Sequence, residues 1–125
     1  MDDKNPMDES IMDSIKETIG IHADNHDFDP NLIIAINAVL FIIYQEGLSD
    51  EAYKITDNTT KWSDILLHEK SIDLSTLITW AGLKTKMIFD PPTSSAISTA
   101  IKEAINELEW RGFITQNYIG EIGEI

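Results

Sequence analysis

The sequence predicts an all-α fold: a small bundle of four to five helices with a buried central helix, a helix hairpin broken by Pro-Pro, and flexible termini. Three observations lead there. Apolar residues recur at helical spacing in several separate segments. Residues 32–44 are apolar around nearly the whole circumference of a helix. Phe89-Asp90-Pro91-Pro92 then sets a firm stop between two later helical patterns, because Pro91 forces Asp90 out of the helical region and Pro92 does the same to Pro91. The boundaries read as a flexible arm over 1–7, a single helical domain over 8–111, and an extended carboxyl-terminal tail over 112–125.

The arm is polar and carries Pro6. Over 8–20, Ile11, Ile15 and Ile19 lie four apart on one face, acidic residues occupy the first turn, and Gly20 is a stop. A polar connector, 22–29, leads to Asp29 as N-cap and Pro30 as first helical residue. The helix that follows runs to Glu46, with Gly47 at its end. Leu32, Ile33, Ile34, Ile36, Val39, Leu40, Phe41, Ile42 and Ile43 surround it, so it is expected at the centre of the domain. Residues 52–57 alternate, with Tyr53 and Ile55 on one side, which suits a short extended piece; 57–60 are turn-rich and 62–68 read as a short helix.

A long helix is expected over 73–88, and it carries two stripes. Leu74, Leu77, Ile78, Ala81 and Ile88 share one face, while Trp80, Leu83 and Met87 fall on the opposite side. Two readings of the second stripe stay open: a helix sandwiched between neighbours of its own domain, or a subunit face, where Trp and Met are favoured. Thr93, Ser94 and Ser95 offer cap hydroxyls for a helix over 95–111, whose stripe is Ile97, Ala100, Ile101, Ala104, Ile105 and Leu108. Trp110 lies off that stripe and could join the Trp80 patch. Arg111, four after Glu107, has the favourable order for an ion pair within the helix. The tail lacks helical periodicity, yet Phe113, Ile114, Tyr118, Ile119, Ile122 and Ile125 make it too apolar for a purely solvating segment, and the expectation is that it orders on a partner.

Composition narrows the function. With 42% hydrophobic residues the chain can build a core. Its longest apolar stretch is too short to span a membrane, and its Met-Asp-Asp start lacks the basic region of a secretory signal. No cysteine is present, so disulfides and thiolate metal sites are excluded. A net charge of −13 opposes binding to nucleic acid phosphates. The cluster His22-Ala23-Asp24-Asn25-His26-Asp27-Phe28-Asp29 fails as a calcium loop read from Asp24, since it has Pro30 and no glycine near the required turn and Ala35 stands where a bidentate glutamate is needed. As a zinc site it would need both histidines on one helical turn, in a segment that reads as loop. No nucleophile elbow or phosphate-cradling glycine loop occurs, and His68 reads as a surface or cap residue. The expectation is a non-enzymatic protein without cofactor or metal.

Lys84-x-Lys86-x-Ile88-Phe89-Asp90-Pro91-Pro92, followed by a cap and a helix closing on Glu107-Leu108-Glu109-Trp110-Arg111, resembles the head–tail connector (adaptor, or head-completion) proteins of long-tailed bacteriophages. "FDPNLIIAINAVLFIIYQEGL", opened by Phe28 and Asp29 with Asn37 inside, is similar to that family's central helix, and Tyr53, Ile55, Trp62 and Asp64 to the link after it. The acidic Ser49-Asp50-Glu51 insertion and the tail beyond Gly112 depart from the pattern. The resemblance implies an all-α virion protein of the neck, at the head–tail interface, made in the host cytoplasm. It would join about a dozen copies in a ring under the portal, let DNA pass without specific binding, and meet a neck stopper or tail-completion protein. Trp80, Leu83, Met87, Trp110, Phe113, Tyr118 and Ile119 are the candidate subunit or portal contacts. The rival reading is a soluble acidic regulator or DNA mimic, which would need carboxylates spaced along one face; here they are scattered over all segments.

Overall fold

The computed structural model describes residues 6–66 and 74–111. The expectations placed on the amino-terminal arm before Pro6, on His68, on the tail from 112, and on the side chains of Trp110 and Arg111 lie outside the described residues. Among those residues four α-helices are present and no strand: α1 (Ile11–Ile19), α2 (Asp29–Gln45), α3 (Leu74–Phe89) and α4 (Ser95–Arg111), with short 3-10 turns at Pro6–Asp8 and Trp62–Asp64.

Local chemistry sets the helix ends. Ser10 caps α1 by accepting from the Asp13 N–H at 3.1 Å. Gly20, at φ 86°, closes it, with the Ile21 N–H donating back to the Lys16 carbonyl. Gly47, at φ 82°, ends α2 in the same way, the Leu48 N–H reaching the Ile43 carbonyl. Helix α3 stops at Phe89, and Ser94 caps α4 by accepting from the Ile97 N–H. One boundary differs from expectation. Phe28, without a side-chain cap bond, precedes α2, and Asp29 lies inside its first turn. The Asp29 carboxylate is free for another task because it is not spent on capping.

The core gathers Ile11, Met12 and Ile15 of α1, Leu32, Ile36, Leu40 and Ile43 of α2, Trp62, and Leu77, Trp80 and Ala81 of α3, with Ile105 from α4. Each fully buried isoleucine or leucine contributes roughly 1.5–3 kcal/mol. The central position falls to α3, which packs against α1, α2 and α4. Its approach to α1 is set by Gly82, where an added Cβ would overlap the Cγ2 and Cβ of Thr18. Helix α2, expected to be covered all round, is buried on one side only.

Two side chains from α1 and α2 tie down the long connection between α2 and α3. Asn37 breaks the apolar run of α2 and uses both ends of its amide on Ile55: its Nδ2 donates to the Ile55 carbonyl at 3.1 Å, and its Oδ1 accepts from the Ile55 N–H at 2.7 Å. A helix side chain thus stands in for the neighbouring strand that the extended piece lacks. Ile55 is buried and Tyr53 half-buried, as their alternation predicted. The indole of Trp62 is buried and donates to Ser14 Oγ at 2.9 Å, and Ser14 in turn donates to the Ile11 carbonyl. The helix expected from 62 is a single 3-10 turn in the described part, with Asp64 accepting from the Lys61 N–H.

Candidate assembly surface

The second stripe of α3 finds its partners inside the chain. Trp80 is fully buried, and its Nε1–H donates to Glu109 Oε2 on α4 at 2.8 Å. The expectation that Trp80 faces another subunit is therefore corrected: α3 is flanked by helices on several sides, and its second stripe meets α4 at Trp80. Leu83 and Met87 are half-buried against the same core. Glu109, within Glu107-Leu108-Glu109-Trp110-Arg111, is the residue that accepts from the buried indole. Its signal was the need of a buried Trp for an acceptor.

The surplus apolar surface lies instead on α2. Ile34 is 69% exposed, Phe41 48% and Tyr44 41%. Ile34, Ala38 and Phe41 follow helical spacing along the outward side, all exposed, and the Phe41 and Tyr44 rings lie 6.2 Å apart. Isolated exposed apolar residues are ordinary, but a continuous stripe marks a contact surface. The sequence carries this signal in a run apolar on every side, which by itself does not distinguish burial within the domain from a contact with another chain. Helix α4 adds to the exposed apolar area. Of its expected stripe, Ile105 alone is buried, Ile101 and Leu108 are half-buried, and Ile97, Ala100 and Ala104 are exposed. Its principal neighbour is α3, so its first turns reach past the core.

The two Phe-Asp-Pro corners meet. Phe28, before α2, and Phe89, at the end of α3, form an edge-to-face pair with ring centroids 5.9 Å apart. Each aspartate is held by a lysine. Asp90 lies 3.4 Å from Lys86 Nζ, an exposed pair, while Pro91 and Pro92 turn the chain away. Asp29 lies 2.9 Å from Lys16 Nζ, whose side chain is 1% exposed. That ammonium also donates to the carbonyls of Asn25 at 2.9 Å and Ala23 at 3.3 Å. The other Asp29 oxygen takes His26 Nδ1 at 2.8 Å. The hydrogen bond from Lys16, aided by that from His26, holds the Asp29 carboxyl below its ordinary range against the opposing effect of burial. His26 is thus part of a clip that pins the 22–28 connector.

Among the described residues no group of three or more His, Asp or Glu side chains is placed to hold a metal, and no helix is long and apolar enough to cross a membrane. Charge is unevenly spread. Asp8, Glu9, Asp13 and Glu17 line a recess of about 640 Å³ beside α1. Lys84, Lys86 and Lys102 stand on the hairpin of α3 and α4. Glu107 is exposed; its expected partner side chain, Arg111, lies outside the described residues.

A model of the family described as phage connector protein matches residues 11–118. No curated protein and no solved structure gave a match.

Proposed function

The chain belongs to the phage connector protein family, and from that premise we propose that it is a non-enzymatic structural protein of the virion neck. In this reading copies join in a ring of about a dozen beneath the portal, extend the DNA channel, and offer a docking surface to a stopper or tail-completion protein. The outward stripe of α2 carries the reading at the level of residues. Ile34, Ala38, Phe41 and Tyr44 form a contact face in excess of what the subunit's own core uses. Subunits related head-to-tail close into rings when the rotation between them closes, and a stripe on one helix side with exposed α4 residues on another face suits such a contact. Leu83 and Met87, half-buried at the edge of the core, together with Trp110, Phe113, Tyr118 and Ile119, remain proposed subunit or portal contacts. The acidic charge would let DNA slide through the ring without being held.

The test is the Ile34→Glu/Phe41→Glu variant mixed with cognate portal particles. Both side chains are exposed, so the variant is expected to keep wild-type helical content while its rings vanish from sedimentation and electron microscopy. Rings assembling as in the wild type would remove α2 from the interface.

A further inference from the structure

A cleft of about 380 Å³ opens between α2, α3 and α4, with Ile42, Met87, Ile88 and Ile105 as its apolar lining. Lys84 and Lys102 stand at it, and among the described residues neither forms an ion pair. Lys84 is half-buried with its Nζ 5.8 Å from the Trp80 ring centroid, so its charge is held at the cleft. The acidic recess beside α1 is the counterpart. Among the described residues its four carboxylates, Asp8, Glu9, Asp13 and Glu17, form no ion pair, and Ile21 adds an apolar side chain. The two surfaces look in different directions. On α3, Gly82 faces Thr18 of α1, whereas Trp80 bonds to Glu109 of α4. Two positions apart is about 200° round a helix, so α1 and α4 flank α3 from opposite sides. Asp13 and Glu17 lie about 100–140° round α1 from Thr18, away from the contact with α3.

We propose that the Lys84–Lys102 cleft of one copy receives the acidic face of α1 from a second copy, with Asp8 and Glu17 as the partners of the two ammonium groups. Charge complementarity selects this occupant. In a chain with 22 carboxylates and nine bases, a cleft whose only ionic groups without a partner are lysines is the exceptional surface, and the recess presents the opposite charge on every copy. Asp8 and Glu17 are both exposed and so can reach a neighbour. Surfaces of opposite sign on opposite sides of a subunit join copies head to tail, and that contact repeats until the rotation between copies closes it. A two-fold pair could not join both surfaces at once. The inference rests on the reading that copies of this chain assemble, and it adds the polarity of that assembly through residues distinct from the α2 stripe.

Charge reversal on full-length chains mixed with cognate portal particles tests the contact, read by sedimentation and electron microscopy. Lys84→Glu/Lys102→Glu makes both surfaces acidic, and Asp8→Lys/Glu17→Lys makes both basic. Each variant alone should assemble roughly tenfold less than wild type, because like charges then face each other across every contact. An equal mixture of the two should recover assembly, since each variant offers the surface that the other lacks. All four changes in one chain should recover it as well. Because Lys84 also rests on Trp80, the exposed changes Lys102→Glu and Glu17→Lys are run as a second set and should give the same pattern at smaller size. Salt near 1 M should shrink both the loss and the recovery, because exposed pairs are screened there. Variants that assemble alone as wild type does, or folded variants that fail together as they fail alone, would overturn the contact and leave the connector reading standing. A wild-type chain that forms no assembly on the portal would overturn both, a result visible before any substitution is made.

Discussion

Replacing Lys16 by methionine isolates the clip that holds the connector between α1 and α2. Methionine keeps much of the aliphatic stem, so the loss is chiefly that of the ammonium. Three acceptors are stranded: the Asp29 carboxylate and the carbonyls of Ala23 and Asn25. Breaking a fully buried pair by removing one partner costs about 3–5 kcal/mol. Here the Asp29 side chain is 23% exposed and keeps His26, so water and imidazole recover part of that. The expected loss is about 2–4 kcal/mol, read from urea unfolding at pH 7. For a chain of this length it corresponds to a fall in Tm of roughly 10 °C. Acid supplies an independent check. The folded-state pKa of Asp29 is depressed, so its contribution is present above the ordinary carboxylate value of 3.8 and is lost as pH falls through the lower folded value. The gap between wild type and Lys16→Met should therefore narrow as pH drops from 6 towards 3. Asp29→Asn combined with Lys16→Met should cost less than the two single changes added together, because the stranded charge is gone. A loss under about 0.5 kcal/mol, or a gap that stays constant down to pH 3, would refute the reasoning.

Two further substitutions probe the packing. Asn37→Ala leaves the buried Ile55 N–H and carbonyl without their amide partner; a cost of about 2–4 kcal/mol is expected in urea unfolding, with helix content kept, and Asn37→Asp should be less harmful because it still accepts from the Ile55 N–H. Gly82→Ala gains about 1 kcal/mol of helix propensity but drives a methyl into Thr18, which is β-branched and held by its hydroxyl on the Ser14 carbonyl at 3.0 Å. Overlap costing about 1–3 kcal/mol should win, lowering Tm by a few degrees, and a variant more stable than wild type would show that α1 gives way freely.

What the sequence made legible was local. Gly20 and Gly47 require left-handed backbone, and Pro91-Pro92 forbid helix, so each stop is written in residues adjacent to it. Helical periodicity likewise located all four helices within a few residues. What it could not decide depended on which faces meet. The Trp80 stripe fits a subunit face and a sandwiched helix equally well in sequence, and only the packing of α3 against three helices decides for the second. Lys16, a charged residue in the first helix, became the buried anchor of a loop nine residues on, and nothing in helical phase foretells that a loop will present its carbonyls there. The same holds for the α2 stripe: apolarity states how much surface must be covered, while the covering molecule is absent from the text of one chain.

The amide of Asn37 also makes one segment's docking depend on another's winding. The extended piece around Ile55 finds its hydrogen-bond partner 18 residues earlier, on a side chain aimed correctly only once α2 is wound. Its docking is therefore conditional on α2 being wound at Asn37. Loop closure then costs little, since the intervening span is short and already turned at Gly47. The Ile55 amide proton becomes a reporter of that single event: its exchange with solvent measures how often the segment lifts off the helix, separately from unwinding of the helices themselves.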